Sequence, residues 1–162
     1  MNAMLRVAVL TISDSVASGE RVDLSGPAVV QRCRELGWEV SSSQKCSDDP
    51  EQVRSHLRKL ADSRQVDLIL TTGGTGLGPR DNTPEATLEI AEKVIPGLAE
   101  EMRRKGAEQT PTAVLSRGVA VIRHRSVILN LPGSPKGAVE SLDVLADLLP
   151  HAIHVLHGAR HD

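Results

Sequence analysis

Four glycines stand close together in the stretch LTTGGTGLGPRDNTPEAT, which covers residues 70–87. Glycine accepts positive φ angles and lets another group approach the backbone closely, and successive N–H groups in such a turn can bind an anion. The stretch has neither the G-x-G-x-x-G pattern nor the Gly-Lys-Ser/Thr ending of common nucleotide loops. We interpret it as a site for a phosphate or another polar ligand, with an irregular strand–helix connection as the alternative. The residues of this predicted site are Thr72, Gly73, Gly74, Thr75 and Gly76.

Two aspartates next to predicted helix starts are candidate ligand-binding residues. Thr83, which precedes Pro84, is the expected N-cap of the helix after the glycines, so that helix does not need Asp81. Asp81 either closes an Asx-turn or faces the ligand, for example through Mg²⁺. Asp49 precedes Pro50 and is explained by N-capping alone.

A lysine stands where a helix disfavours it. Ser134 is the expected N-cap and Pro135 the first residue of the last helical pattern, which places Lys136 in the first turn. The helix dipole disfavours a cation there, and a bound anion would reverse that penalty. The alternative is a solvated surface lysine.

The elements that must position these residues alternate between strands and helices. The sequence predicts strands at 5–13, 38–43, 66–71, 117–123 and 126–131, the last two joined as a hairpin. It predicts helices at 24–36, 50–64, 83–94, 98–105 and 136–157, with a break at Pro150, and a polar loop at 14–23. The fold class is therefore α/β, with helices on both faces of a mostly parallel sheet that contains one antiparallel strand.

Ligands of such sheets bind beyond the carboxyl ends of the strands. This rule selects four segments of the sequence as candidates for the site. They are residues 13–15, 47–49, 72–81 and 132–136.

The composition narrows the class of partner and the compartment. A chain of 162 residues suits one domain spanning 1–162. The net charge is -2 and Trp38 is the one aromatic residue, so we expect no nucleic-acid partner. Cys33 and Cys46 predict reduced thiols, and the apolar start is too short to span a membrane. We expect a soluble cytoplasmic protein with no membrane partner.

Six motifs together resemble the molybdopterin adenylyltransferases of the Mog/MoaB type, and the resemblance spans most of the chain. The motifs are TISDS (11–15), TTGGTG (71–76), RDNTPEAT (80–87), IPGLAEEMR (95–103), PTAVLSR (111–117) and LNLPGSPKG (129–137). The resemblance implies a three-layer α/β/α fold assembled as a homotrimer. It also implies that molybdopterin attacks the α-phosphate of MgATP, giving adenylylated molybdopterin and pyrophosphate. The product would pass to the molybdate-insertion protein.

The resemblance also implies roles for individual residues. Asp49 and Asp81 fall on the functional carboxylates, which would hold Mg²⁺ with ATP as co-substrate, and Asp48 is the alternative to Asp49. No permanently bound cofactor is expected. The nucleotide- and pterin-binding residues that it implies are Ser13, Asp14, Thr72, Gly73, Gly74, Thr75, Gly76, Glu100, Ser116, Arg117, Pro132, Gly133, Ser134 and Lys136. Asp14 and the glycines would contact the nucleotide, and Ser116, Arg117 and the 132–136 loop the pterin phosphate.

Two other functions are compatible with the same motifs. One is a non-catalytic carrier that binds molybdopterin without releasing pyrophosphate from ATP. The other is a structural scaffold whose trimer interface matters most. The presence of Asp49, Asp81 and Lys136 favours the enzyme.

Overall fold

A six-stranded sheet forms the middle of the computed structural model, which describes residues 4–158. The strands are β1 (Arg6–Ile12), β2 (Glu39–Cys46), β3 (Leu68–Thr72), β4 (Lys93–Val94), β5 (Ala120–Arg123) and β6 (Ser126–Leu131). Their order across the sheet is β2-β1-β3-β6-β5-β4. The strands β2, β1, β3 and β6 pair in parallel, and β5 pairs antiparallel to both β6 and β4. The predicted single antiparallel strand is confirmed as β5.

Helices cover both faces of this sheet. They are α1 (Asp14–Ala17), α2 (Ser25–Glu35), α3 (Pro50–Asp62), α4 (Thr83–Glu89), α5 (Pro96–Gln109), α6 (Pro135–Leu145) and α7 (Leu149–Leu156), with a 3₁₀ turn at Pro111–Leu115. Within residues 4–158, no helix has both the length and the apolar character that crossing a bilayer requires.

Strand β1 is buried on both faces, which explains its continuous apolar sequence. Val7 and Val9 pack into the core formed with α2, α5, α6 and α7. Leu10 and Ile12 pack into the opposite core, formed with α3 and α4. The three-layer α/β/α architecture is therefore confirmed.

The structure corrects the predicted helix at 83–94. Helix α4 ends at Glu89, and Lys93–Val94 forms the edge strand β4. The amides of Glu92 and Ile95 donate to the carbonyls of Ile122 and Ala120, at 2.8 Å each. Pairing with β5 gives these backbone groups hydrogen-bond partners, as a longer helix also would. The contacts at the edge of the sheet therefore outweigh the helix propensity of this segment.

Three other boundaries also differ from the predictions. A short helix, α1, interrupts the predicted loop at 14–23, and Ser13 caps it by accepting from the Val16 amide. Strand β2 continues to Cys46 because it stays in register with β1 as far as Ile12. The break in the last helical segment falls between α6 and α7, ahead of Pro150.

A buried hydrogen-bond network anchors α4 to the sheet. The side-chain amide of Asn130 on β6 donates to Thr71 Oγ1 at 3.0 Å and to Thr87 Oγ1 at 3.1 Å. Its Oδ1 accepts from the Val119 amide at 3.1 Å. Asn130, Thr71 and Thr87 are fully buried, so each of these groups depends on the others for its hydrogen bonds.

We expect Asn130→Ala to destabilise the fold by about 3 kcal/mol, because it leaves buried donors and acceptors without partners. The measurement is the free energy of unfolding from urea denaturation. Gln52→Ala, on the exposed side of α3, is the control and should change it by less than about 0.5 kcal/mol. Equal stability of the two variants would contradict the anchoring role of Asn130.

Candidate functional site

A cavity of about 620 Å³ opens at the carboxyl ends of β1, β2, β3 and β6. Strand β2, which follows β1 in the chain, pairs with one side of β1, and β3 pairs with the other side. The cavity therefore lies at the switch point where α/β sheets bind ligands. Its lining residues are Thr11, Ile12, Ser13, Val16, Arg21, Val22, Asp23, Leu24, Ser25, Asp48, Thr72, Gly73, Gly74, Asp81, Gly133, Ser134 and Pro135.

The glycine loop forms the floor where three strand ends meet. Gly73 and Gly74 have φ angles of 106° and 69°, which glycine adopts without strain. The Gly73 amide donates to Leu131 O at 3.2 Å, and a Cβ on Gly73 would overlap the carbonyl oxygen of Ile12. Thr72 Oγ1 donates to Pro132 O at 2.7 Å. The loop thus needs glycine at residue 73 because backbone at the end of β1 occupies the space of a side chain.

A reciprocal pair of hydrogen bonds joins two aspartates at one side of the cavity. The Asp14 amide donates to Asp48 Oδ2, and the Asp48 amide donates to Asp14 Oδ1, at 2.9 Å each. Arg80 binds the same Asp14 carboxylate through Nε at 3.0 Å and Nη2 at 2.9 Å. Arg80 therefore links the glycine loop to the end of β1, and Asp14 links it onward to Asp48.

The pKa values of these two carboxyl groups move in opposite directions. The hydrogen bonds from Arg80 lower the pKa of Asp14. Burial raises the pKa of Asp48, and the negative charges of Asp14 and Asp81 act in the same direction, against the hydrogen bond from the Asp14 amide. A positive charge that entered the cavity next to Asp48 would relieve this cost.

The structure distinguishes Asp48 from Asp49. Asp48 lines the cavity, whereas Asp49 is outside its lining. Asp49 caps α3, with its side chain accepting from the Glu51 amide at 3.3 Å. Capping is thus confirmed for Asp49. Asp48 is the carboxylate of the two that a ligand in the cavity would meet.

Asp81 closes a turn, the first of the two roles that its sequence position left open. Its Oδ2 accepts from the Gly78 amide at 2.9 Å, which closes a turn. The residue also lines the cavity. A Cβ at Gly76 or Gly78 would lie 2.9 or 3.0 Å from Asp81 Oδ2, so these glycines allow the loop to wrap closely around the carboxylate.

The predicted N-cap role of Thr83 is wrong. Thr83 is the first residue of α4 and Asn82 is at the N-cap position, with no side-chain capping bond. The Thr83 amide donates to Gly74 O at 3.1 Å. The glycine loop holds the start of this helix in place of a side-chain cap.

The other predicted residues divide into two groups. Those that line the cavity are Ser13, Thr72, Gly73, Gly74, Gly133 and Ser134. Those outside its lining are Asp14, Thr75, Gly76, Glu100, Ser116, Arg117, Pro132 and Lys136.

Members of the second group have other contacts. Glu100 is exposed on α5, and Ser116 O accepts from Arg103 Nη1 at 3.3 Å. Lys136 is 86% exposed and lies 3.8 Å from Glu140. Ser134 Oγ accepts from the Gly137 amide at 3.0 Å, which confirms it as the cap of α6.

Arg117 braces the outside of the glycine loop. Its Nε donates to Gly76 O at 2.9 Å, and its Nη2 donates to Asp81 O at 2.6 Å. Its Nη1 donates to Glu85 Oε2 at 2.6 Å. These contacts leave little of the guanidinium for a ligand, so Arg117 holds the loop from behind.

Sequence reasoning missed one wall of the cavity, at residues 21–24. It assigned Arg21, Val22 and Asp23 to a polar loop, yet all three line the cavity with Leu24. Asp23 holds this wall by accepting from Thr11 Oγ1 at 2.8 Å. The sequence signal for this wall was the pair of apolar residues, Val22 and Leu24, at the end of the predicted polar loop. Val22 and Leu24 are 76% and 65% exposed.

The donors at the cavity fit a cation that arrives with its own oxygen ligands. Mg²⁺ is commonly held by one or two carboxylates together with waters and substrate phosphates, and Asp48 and Asp81 supply two carboxylates. Across residues 4–158 no group of three or more His, Cys, Asp or Glu side chains is placed to hold a metal.

Comparison with known proteins shows the family of the chain. The family model described as "Probable molybdopterin binding domain" matches residues 8–151. The molybdopterin adenylyltransferase of Escherichia coli K12 is 38% identical over 162 residues, covering 95% of this chain and 79% of that protein. The enzyme of the same name from Helicobacter pylori J99 is 38% identical over 156 residues, covering 95% and 89%. The crystal structure of the molybdopterin biosynthesis enzyme MoaB from Thermus thermophilus superimposes with a TM-score of 0.90. It shares 48% identity with this chain and covers 98% of it and 100% of its own.

The fold and the cavity define an α/β protein with a ligand site at the carboxyl end of a mostly parallel sheet. Within that class, this chain belongs to the molybdopterin-binding domain family. The resemblance found in its motifs is confirmed.

We expect Asp48→Asn to raise the Tm of the ligand-free protein at pH 7. Because burial raises the pKa of Asp48, the stability that its protonated form provides is present at low pH and is lost as pH rises through the folded-state pKa. Asparagine carries no charge, so the variant avoids this cost, and each 1 kcal/mol gained would raise Tm by about 2–4 °C in a chain of this size. The difference should shrink as pH falls through the raised pKa of Asp48 and the aspartate becomes protonated.

The matched control is Asp49→Asn. Asparagine caps helices about as well as aspartate, so this variant should keep the wild-type Tm across the same pH range. A thermal melt series from about pH 3 to 8, which spans the titration of a carboxyl group, makes the measurement. A lower Tm for Asp48→Asn at pH 7 would contradict the burial argument.

Proposed function

We propose that this protein is a molybdopterin adenylyltransferase that uses MgATP. A phosphate oxygen of molybdopterin attacks the α-phosphorus of ATP, the bond from that phosphorus to the bridging oxygen of the β-phosphate breaks, and pyrophosphate leaves. The observation that carries the proposal is the cavity itself, where Asp48 and Asp81 both line the wall beside the glycine loop. The two adenylyltransferases with 38% identity cover nearly the whole chain and support the reaction type.

Nucleotidyl transfer depends on in-line positioning and on neutralising negative charge. We assign phosphate binding to backbone N–H groups of the glycine loop other than those of Gly73 and Gly78, which donate to Leu131 O and Asp81. The positive φ angles at Gly73 and Gly74 are typical of anion-binding turns. Asp48 and Asp81 would hold Mg²⁺ that arrives with ATP, and this ion would supply charge stabilisation to the phosphates.

We replace Asp49 by Asp48 as the metal-binding carboxylate in this proposal. Asp48 lines the cavity and its charge is costly without a cation, because burial raises its pKa. Asp49 is occupied with the N-terminus of α3. Asp14 and Arg80 then position Asp48 through the reciprocal hydrogen bonds.

The pterin phosphate would bind next to the start of α6. Gly133, Ser134 and Pro135 line the cavity, and Lys136 follows them with a largely exposed side chain. We propose that Lys136 leaves Glu140 and contacts this phosphate as a point charge. Roles for Glu100 and Ser116 rest on the resemblance alone.

The assembly and the destination of the product are also proposals. A homotrimer would cover exposed apolar side chains such as Val114 and Leu115, which are 59% and 50% exposed in the single chain, since large apolar patches mark interfaces. We propose that adenylylated molybdopterin then passes to a molybdate-insertion protein. The free thiols of Cys33 and Cys46 suit the reducing cytoplasm as its compartment.

Three aspartate variants test the catalytic assignment. We expect Asp48→Asn and Asp81→Asn to lower turnover by about 10²–10³-fold, because each removes a charge that holds the metal. Asp49→Asn keeps the helix cap and should stay within about threefold of wild type. The measurement is pyrophosphate release with molybdopterin, ATP and Mg²⁺.

Each alternative gives a different result in this assay. Loss of activity in Asp49→Asn with full activity in Asp48→Asn would reverse the assignment of the two neighbours. Wild-type protein that binds molybdopterin but releases no pyrophosphate would be the non-catalytic carrier.

A further inference from the structure

A buried hydroxyl group beside the cavity has no hydrogen-bond partner. Thr83 is 1% exposed, and within residues 4–158 its Oγ1 is the one buried side-chain nitrogen or oxygen that makes no hydrogen bond. Buried polar groups without partners are rare in folded proteins and call for an explanation. None of the functional roles assigned above belongs to Thr83.

The backbone around Thr83 fixes the position of this hydroxyl. The Thr83 amide donates to Gly74 O at 3.1 Å, and the Thr83 carbonyl accepts from Thr87 Oγ1 at 2.8 Å. Thr87 Oγ1 in turn accepts from Asn130 Nδ2 at 3.1 Å. The first turn of α4 is therefore held on two sides, so the hydroxyl cannot withdraw toward solvent without breaking buried hydrogen bonds.

The hydroxyl of Thr83 and the Oδ1 atom of Asp48 both lie next to Gly74. A Cβ added at Gly74 would overlap Thr83 Oγ1 and would lie 3.1 Å from Asp48 Oδ1. Because residue 74 is glycine, no side chain fills the space next to these two oxygen atoms. Asp48 Oδ2 already accepts from the Asp14 amide, which leaves Oδ1 turned toward the glycine loop.

Two simpler explanations do not fit these contacts. The Thr83 hydroxyl makes no helix-capping bond, because Asn82 occupies the cap position. It also does not line the cavity, so a bound ligand would meet Asp48 and Gly74 first.

We propose that Thr83 is a positioning residue for Asp48, a proposal that rests on the function assigned above. When a cation and phosphates occupy the cavity and draw Asp48 and the glycine loop together, the Thr83 hydroxyl donates to Asp48 Oδ1. This bond fixes the carboxylate in the orientation that binds the cation. The ligand-free protein carries an unsatisfied hydroxyl, and the ligand-bound protein satisfies it.

Two threonine-to-valine variants on the same helix separate this role from a structural one. In the ligand-free protein, Thr83→Val removes a hydroxyl that has no partner, so its Tm should equal or exceed that of wild type. Thr87→Val removes a hydroxyl with two hydrogen bonds and should have a lower Tm. Both residues are buried, so the pair controls for burial and for the substitution itself.

Direct metal binding gives a readout that is independent of turnover. Mn²⁺ replaces Mg²⁺ as the probe, and electron paramagnetic resonance measures its affinity for the protein in the presence of a non-hydrolysable ATP analogue. We expect Thr83→Val to weaken Mn²⁺ binding by about tenfold, the size of one hydrogen bond to a charged group. Thr83→Ser keeps the hydroxyl and should stay within about twofold of wild type.

The outcomes distinguish this inference from the function on which it rests. Wild-type Mn²⁺ affinity in Thr83→Val, with weakened affinity in Asp48→Asn, overturns the role of Thr83 and leaves the metal site in place. Equal affinity in wild type and Asp48→Asn overturns both. A Tm for Thr83→Val as low as that of Thr87→Val also overturns the inference, because the hydroxyl would then be bonded without ligand. Weakened binding in Thr83→Val supports it even in a protein that releases no pyrophosphate.

Discussion

The carbonyl oxygen of Ile12 occupies the space that a side chain at residue 73 would need, and the site is built around this contact. It brings the end of β1 against the end of β3, while the Gly73 amide reaches Leu131 O at the end of β6. Three parallel strands can converge so closely because the loop between β3 and α4 contributes backbone in place of side chains. The cavity and its polar floor follow from that convergence.

Charge around the cavity is distributed unevenly. Asp14 and Asp81 lie close enough for their charges to raise the pKa of Asp48, and Arg80 offsets part of this negative charge by binding Asp14. Arg117, beside the glycine loop, faces Glu85 and two loop carbonyls, and Arg21 lines the wall of the cavity formed by residues 21–24. The charges around Asp48 are thus mostly negative. A cation that entered the cavity there would balance them.

The fold could be predicted closely from the sequence because strand periodicity and helix caps are local signals. The caps at Asp49 and Ser134 and the register of the hairpin need no distant information. The edge strand β4 could not be predicted, since Lys93–Val94 becomes a strand through pairing with a segment about thirty residues later. The glycine loop was predicted as a site from composition alone, because four glycines have few structural uses.

Local sequence patterns do not distinguish the role of Asp48 from that of Asp49. Both residues follow the same strand, and one position along the chain decides which carboxylate caps α3 and which lines the cavity. Arg117 shows the same limit for long-range contacts. Its motif suggested a ligand contact, and the structure gives it the carbonyls of Gly76 and Asp81 as partners.

The contacts of Arg117 also bear on the order of folding. The amide and the guanidinium of this residue both bond to the glycine loop, about forty positions earlier in the chain. Contacts between such distant segments form late, because closing the intervening chain costs entropy before any contact stabilises it. The parallel strands β1 and β2 can pair before Arg117 binds the glycine loop at their carboxyl ends. We therefore expect the cavity to be complete only after the segment leading into β5 has docked against the glycine loop.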